Sequence, residues 1–327
     1  MALRTDVLKD EVIEKVVEAV QARMSGKKAA FAESFVRRFY ENVASGDIAS
    51  EETEDLYVAA LSLWGFAANR KPKTAKVRVY NPSFDQHGWH STHTVVEIVH
   101  DDMPFLVDSV SADLNHLGIT IYQLIHPIFV VERGRDGKAL SMAPVSNNGN
   151  GAVRESCIHI QIDEQSTQKE RKALELALRG ILSNVRAAVE DWQPMRRQIL
   201  DELDRLQKAP PKLAKAEIEE ATAFLTWLHD NHFTFLGYRE LSFTGSGKRA
   251  RMEVAANSGL GVLRDPEFQI FEGLRNLGAQ TPDVQAFVRQ PELLLITKTT
   301  ERATVHRNVH MDAVAVKIFN DKGAVVG

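Results

Sequence analysis

Cysteine is nearly missing from this chain: Cys157 is the single one among 327 residues. No disulfide can form within the chain, so a reducing cytoplasm is the expected compartment. Cys157 lies in the run Ser156-Cys157-Ile158-His159-Ile160 and reads as a small buried hydrophobe rather than a nucleophile. A basic excess is missing too. Lys and Arg number 40 against 44 Asp and Glu, a formal net charge of -4, whereas a nucleic-acid surface needs a basic stripe. No apolar run reaches the roughly 18 residues of a membrane span. The longest, residues 119–131, is broken by Gln123, His126 and Pro127. Asp6, Asp10, Glu11 and Glu14 near the start exclude a secretory leader. Neither a nucleic acid nor a membrane is therefore expected as a partner.

Glycine patterns that cradle phosphates are absent as well. Gly259-Leu260-Gly261 lacks the third glycine of a dinucleotide fingerprint, and Pro266 follows soon after. Gly245-Ser246-Gly247-Lys248 lacks the upstream spacing and the closing Ser or Thr of a phosphate loop. No Gly-x-Ser-x-Gly elbow occurs. His87, His90 and His93 form an H-x-x-H-x-x-H series, but in an extended segment that spacing does not converge three rings, and no carboxylate or thiolate completes a set. His229, His232, His306 and His310 are scattered and read as hydrogen-bonded structural histidines. Within these residues no catalytic group, cofactor or metal is expected.

What is present is a hydrophobic fraction of 44%, enough for a packed core and too high for disorder. Residues 6–70 read as three amphipathic helices: Val12, Ile13, Val16, Val17 and Val20 share one face; Phe31, Phe35, Val36, Phe39 and Val43 another; Leu56, Ala60, Leu63, Trp64 and Ala67 a third. Ser50 is the expected cap of the third helix, with Glu51, Glu52, Glu54 and Asp55 in its first turn. From Lys71 the pattern becomes strand 76–80, strand 94–99, a helix after Pro104 with Asp102 as its cap and Gly118 as its stop, a long strand 119–132, a Gly134–Gly137 turn with a short strand behind it, strand 155–162 and a long helix 167–191. The order strand, helix, strand, strand, helix is a ferredoxin-like unit without its last strand; either 76–80 fills that place or the unit is a variant. Another helix runs to about 207, and Ala209-Pro210-Pro211 is a linker. Beyond it come helix 215–229 and strand-like runs 233–243, 293–298 and 312–319, then a hairpin turn at Asn320-Asp321-Lys322-Gly323. The return strand after that turn is short, so a longer polypeptide is expected. The expected class is α+β. The parts are a helical segment 1–70, a ferredoxin-like βαββα domain 71–192, a helix and Pro-rich linker 193–214, and an α+β module 215–327, either PAS-like or a second divergent unit of the ferredoxin-like kind.

The stretch from Val95-Val96-Glu97-Ile98-Val99 through His100-Asp101-Asp102-Met103-Pro104-Phe105-Leu106-Val107-Asp108-Ser109-Val110 resembles the N-terminal region of the large-subunit class of bacterial NAD-specific glutamate dehydrogenases. So do Gly118-Ile119 through His126-Pro127, Val130-Val131-Glu132-Arg133, the run Trp227-Leu228-His229-Asp230-Asn231-His232-Phe233-Thr234-Phe235-Leu236-Gly237-Tyr238-Arg239, and Thr304-Val305-His306-Arg307 with Asp312, Val316 and Lys317. The resemblance implies a catalytic, NAD-binding Rossmann domain far downstream and, here, ACT-like domains that commonly sense amino acids and pair side by side. Its implied partners are the protein's own catalytic region, further copies of the chain and an amino-acid effector. The implied effector loop is Asp101, Asp102, Met103, Pro104 and Phe105, where amides at a helix start would hold a carboxylate and an aspartate the amino group. Ligand-binding ACT loops usually place glycine after the proline; Phe105 stands there instead, and the other reading of the loop is a fold-stabilising cap with side-chain packing at an oligomer interface. The alternatives are a free-standing ACT-type sensor and a scaffold that binds only copies of itself.

Overall fold

The computed structural model describes residues 2–49, 51–144, 152–266, 268, 270 and 275–327, with side chains from residue 8 onward and not at 144. The chain forms two compact units, Met1–Leu182 and Ser183–Gly327.

The first unit opens with α1 (Ala2–Arg23), α2 (Gly26–Tyr40), the short α3 (Ser45–Ala49) and α4 (Thr53–Ala67). Ser50 lies outside the described residues; α4 starts later than expected, with Glu52 at its N-cap and no side-chain cap. A six-stranded sheet follows, with β1 (Lys76–Tyr80), β2 (Thr94–Asp101), β3 (Ile121–Ile125), β4 (Ile128–Arg133), β5 (Ala139–Pro144) and β6 (Val153–Ile162). A short helix α5 (Phe84–His87) follows β1, α6 (Leu106–His116) follows β2, and α7 (Gln168–Glu190) follows β6. The order is β1-β2-β6-β4-β5, with β3 also on β6, and every pairing is antiparallel. Strand 76–80 thus takes the edge beside β2 that the last strand of a ferredoxin-like unit would occupy. The fold is α+β and ACT-like.

The single long strand expected over 119–132 is split into β3 and β4. Pro127 has no N–H to donate to the ladder, while its carbonyl accepts from the Cys157 amide at 3.0 Å. Register is unchanged across the break, since Ile125 pairs with His159 and Ile128 with Ser156.

Alternation along β2 and β6 separates two buried faces. Val99 and Cys157, with Ile125, Phe129 and Val131, join one core with Val16, Val20, Phe35, Phe39 and Leu63 of the N-terminal helices. Val96, Ile98, Ile158 and Ile160 point to the other face, which α6 and α7 close with buried Leu106, Val110, Leu114, Leu174 and Leu178. Cover on both faces explains why β2 reads as an almost continuous apolar run. It also places the helical segment and the sheet in one core. Gly118 stops α6 as expected, at φ 73°, and Leu117 just before it is 54% exposed.

The second unit holds α8 (Trp192–Lys208) and α9 (Lys215–Trp227), then a one-turn π segment Leu228–His232 and short strand pairs. Run 233–243 yields only β7 (Gly237–Tyr238) and most of β8 (Leu241–Thr244). β8 pairs with β9 (Arg251–Val254), and β7 with β10 (Leu260–Gly261). After α10 (Pro282–Val288) come β11 (Leu294–Arg302) and β12 (His310–Val316), which pair with each other. The Asn320–Gly323 turn forms as expected, with Asn320 N–H on Ala324 O at 3.0 Å. Leu206, Ala221, Leu225, Leu228 and Leu293 make a core.

Asp191, at the start of α8, receives Arg264 Nε at 2.5 Å, Arg264 Nη2 at 2.6 Å and the Gly261 amide at 2.7 Å. Burial pushes this carboxyl up, but the arginine and the amide outweigh it and hold it below the ordinary aspartate range. A depressed carboxyl contributes stability that is complete above the unfolded value of about 3.9 and is lost as pH falls through the lower folded value. Acid unfolding of this unit is expected to steepen below about pH 4, and Asp191→Asn to flatten that limb while lowering stability at neutral pH. A pH series of urea melts on both proteins checks this; equal slopes would remove Asp191 from the acid response.

Candidate functional site

The loop from Asp101 to Phe105 joins the end of β2 to α6, and its two carboxylates part company. Asp101, on the face toward the N-terminal helices, accepts from Arg70 Nη2 at 2.5 Å. Asp102 does not cap α6: Phe105 is the N-cap residue, with no side-chain cap bond. Asp102 turns instead to β6, accepting from the Ser156 hydroxyl at 2.9 Å and Arg154 Nε at 3.1 Å, while its own N–H reaches the Arg154 carbonyl at 2.9 Å. Met103 is half-buried and Pro104 exposed. Phe105 sits at φ 71°, ψ 1°, the left-handed region, which is costly for a bulky side chain. The loop therefore has the backbone of a glycine-bearing turn with phenylalanine in the glycine's place.

One residue near this loop escaped sequence reasoning. His126, read as a polar break in the longest apolar run and as the end of one resembling stretch, is half-buried, and its Nε2 has no hydrogen-bond partner among the described residues. Burial pushes its pKa down, and the charge of Asp102 pushes it back up. The only signal in the sequence was its place beside Pro127, opposite the strand that carries Ser156.

Two buried polar clusters lie between the sheet and the N-terminal helices. Glu155 and Asp101 share Arg70, and Glu155 also takes Arg133. Glu97, fully buried, accepts from Arg78 Nε at 2.6 Å and the Tyr80 hydroxyl at 3.0 Å, with His159 Nδ1 3.6 Å away. Burial pushes the Tyr80 hydroxyl well up, aided by the Glu97 charge.

The three spaced histidines turn to three different rings: His87 to Tyr80, His90 to Phe84 and His93 to Tyr122. His232 stacks on Trp227, His310 Nδ1 lies 3.2 Å from the Thr299 carbonyl, and His229 lies beside Asp230. Among the described residues no group of three His, Cys, Asp or Glu could hold a metal ion. Burial, then Glu155, drives the Cys157 thiol far above its ordinary value, as suits a packing residue. No described helix is long and apolar enough to cross a membrane. Gly259 and Gly261 belong to a tight strand connection: a Cβ at Gly261 would meet Leu236 O at 2.2 Å.

Residues 35–178, which hold α2 through most of α7 and the whole sheet, match the family model described as "Glutamate dehydrogenase, ACT1 domain". A relative named NAD-specific glutamate dehydrogenase, from Halomonas elongata, is 35% identical over 319 residues, covering 97% of this chain. The chain belongs to the NAD-specific glutamate dehydrogenase family. Its counterpart of the same name in Pseudomonas aeruginosa is 33% identical over all 327 residues, and that of Mycobacterium tuberculosis is 23% identical over 170. The chain spans about 20% of the length of the first two and is an N-terminal region bearing the ACT1 domain.

Proposed function

We propose that this ACT1-bearing region is the regulatory and assembly part of a large NAD-dependent glutamate dehydrogenase, without the active site. The whole enzyme would oxidise L-glutamate with NAD and water to 2-oxoglutarate, ammonia and NADH. The region would help build the homo-oligomer, and the β2–α6 loop would receive an amino-acid effector. What carries this reading is the match along the whole chain to enzymes five times longer, on a sheet of the wrong kind for the chemistry. A dinucleotide site is built on parallel strands joined by helices, whereas every strand pair in the first unit is antiparallel. The loop offers an effector the α6 amides, the Asp102 carboxylate and the Nε2 of His126. To act allosterically, such an effector must bind two states of the enzyme unequally.

A thermal-shift panel of the twenty amino acids tests the reading. An effector at 100 times its Kd stabilises by about 2.7 kcal/mol, a rise of a few degrees. One amino acid is expected to give that rise and Asp102→Ala to abolish it. Silence across the panel, with self-association seen by sedimentation, would leave the scaffold reading. NADH formation from glutamate by this chain alone would overturn the non-catalytic assignment.

A further inference from the structure

A groove of about 540 Å³ opens between α4, β1 and α5, within the range of small-molecule sites. Its walls include Leu61, Phe66, Lys76, Arg78, Gln86 and His87, and no Asp or Glu lines it among the described residues. That is a local reversal in a chain with more acids than bases.

Lys76 and Arg78, two apart on β1, project on one side of the strand. Both lie over the Phe66 ring, Lys76 Nζ at 4.4 Å and Arg78 Cζ at 4.6 Å from its centre. Each is also anchored from behind. Lys76 Nζ donates to the carbonyls of Phe66 at 2.7 Å and Asn69 at 2.8 Å. Arg78 donates through Nε to Glu97 and through Nη2 to the Ser62 carbonyl and hydroxyl. One N–H of Lys76 and the whole of Arg78 Nη1 keep no partner among the described residues. The nearby carboxylate, Glu97, is fully buried and already engaged by Arg78 and Tyr80; its charge acts on Lys76, but the atoms that Lys76 Nζ donates to are neutral carbonyls. His87 Nδ1 accepts from the Ser83 amide at 3.2 Å, which leaves its proton on Nε2 as a further donor. Burial, then the charge of Arg78, lowers the pKa of both Lys76 and His87.

We propose that this groove binds a small organic anion, with a carboxylate or phosphate on Lys76 and Arg78 and an apolar body against Leu61 and Phe66. Fixed cations with unused donors suit an anion because their ordering is complete before it arrives. The site shares no residue with the β2–α6 loop and stands or falls apart from it.

Calorimetry and imidazole NMR on the 327-residue chain test the proposal, with inorganic phosphate, AMP and phenylacetate as probes. AMP or phenylacetate is expected to bind and to raise the titration midpoint of His87; which of the two binds tighter separates a phosphate ligand from a carboxylate one. Lys76→Gln, which can still donate to its carbonyls, should weaken binding by about tenfold. Gln86→Glu, at an exposed position, should weaken it comparably with no loss of fold. Silence from all three probes at millimolar concentration would overturn the site. So would binding that neither variant changes. Inorganic phosphate binding as tightly as both organic anions would overturn the apolar half.

Discussion

Glu155→Ala is expected to destabilise the first unit by about 3–5 kcal/mol, the cost of leaving buried charge without its partner. The carboxylate takes Arg70 Nη2 at 2.7 Å and Arg133 Nε and Nη2 at 2.6 Å each. Side-chain exposures are 0% for Glu155, 1% for Arg70 and 7% for Arg133, so water cannot replace what the substitution removes. Asp101 would be left to balance two guanidinium groups, with Arg70 Nε already lacking a partner. Arg133 also holds the carbonyls of Ala67 and Gly137. The cluster thus fastens the end of α4, the end of β2 and the β4–β5 turn to β6. Hydrogen exchange at β2 and β6 amides should show the loss directly, and Glu155→Gln should lose less. Wild-type exchange in Glu155→Ala would mean that water reaches the arginines.

Phe129→Ala should cost about 3–5 kcal/mol as well, here through a cavity. The Phe129 ring lies 4.7 Å from that of Phe35, nearly parallel at 6°. Phe35 stacks on Phe39 at 6.0 Å, and Phe39 meets the His159 ring edge-on at 5.7 Å. This aromatic row joins α2 to β4 and β6, and Phe129 is 1% exposed. Exchange protection is expected to fall in α2 and in the sheet together. Loosening of α2 with the sheet unchanged would show that the helices and the sheet are separate folding units. Phe129→Leu, which refills most of the volume, should recover over half of the loss.

The helices and most strands were legible because their apolar spacing repeats at 3.6 or 2 residues. The strand at 76–80 was legible as a strand and, from the missing member of the ferredoxin-like order, as one candidate for the edge beside β2; the pairing that decided it is not encoded in local pattern. The break at Pro127 could be anticipated from proline's missing N–H, yet its unchanged register could not, since register is held by β6. The five residues of the candidate loop were singled out through a family resemblance. The diverging paths of Asp101 and Asp102 were not, because their partners Arg70, Arg154 and Ser156 lie 31 to 54 residues away. The run 233–243 misled because its four aromatic residues and Thr234 suit strands generally, whereas only short pairings form there.

By itself the sequence determined the α+β class, the β2–α6 loop and the likeness to the relatives that identity along this chain expresses, since these rest on periodicity, turn chemistry and residue order. Tertiary structure alone decided that the N-terminal helices cover a second face of the sheet. It also decided where the buried charges go. Glu97 and Glu155 sit inside runs that read as apolar strand, and the arginines that neutralise them arrive from other elements, as far as 85 residues away for Arg70 and Glu155. Local pattern records which side of a strand a residue faces; only the packed chain records what meets it there.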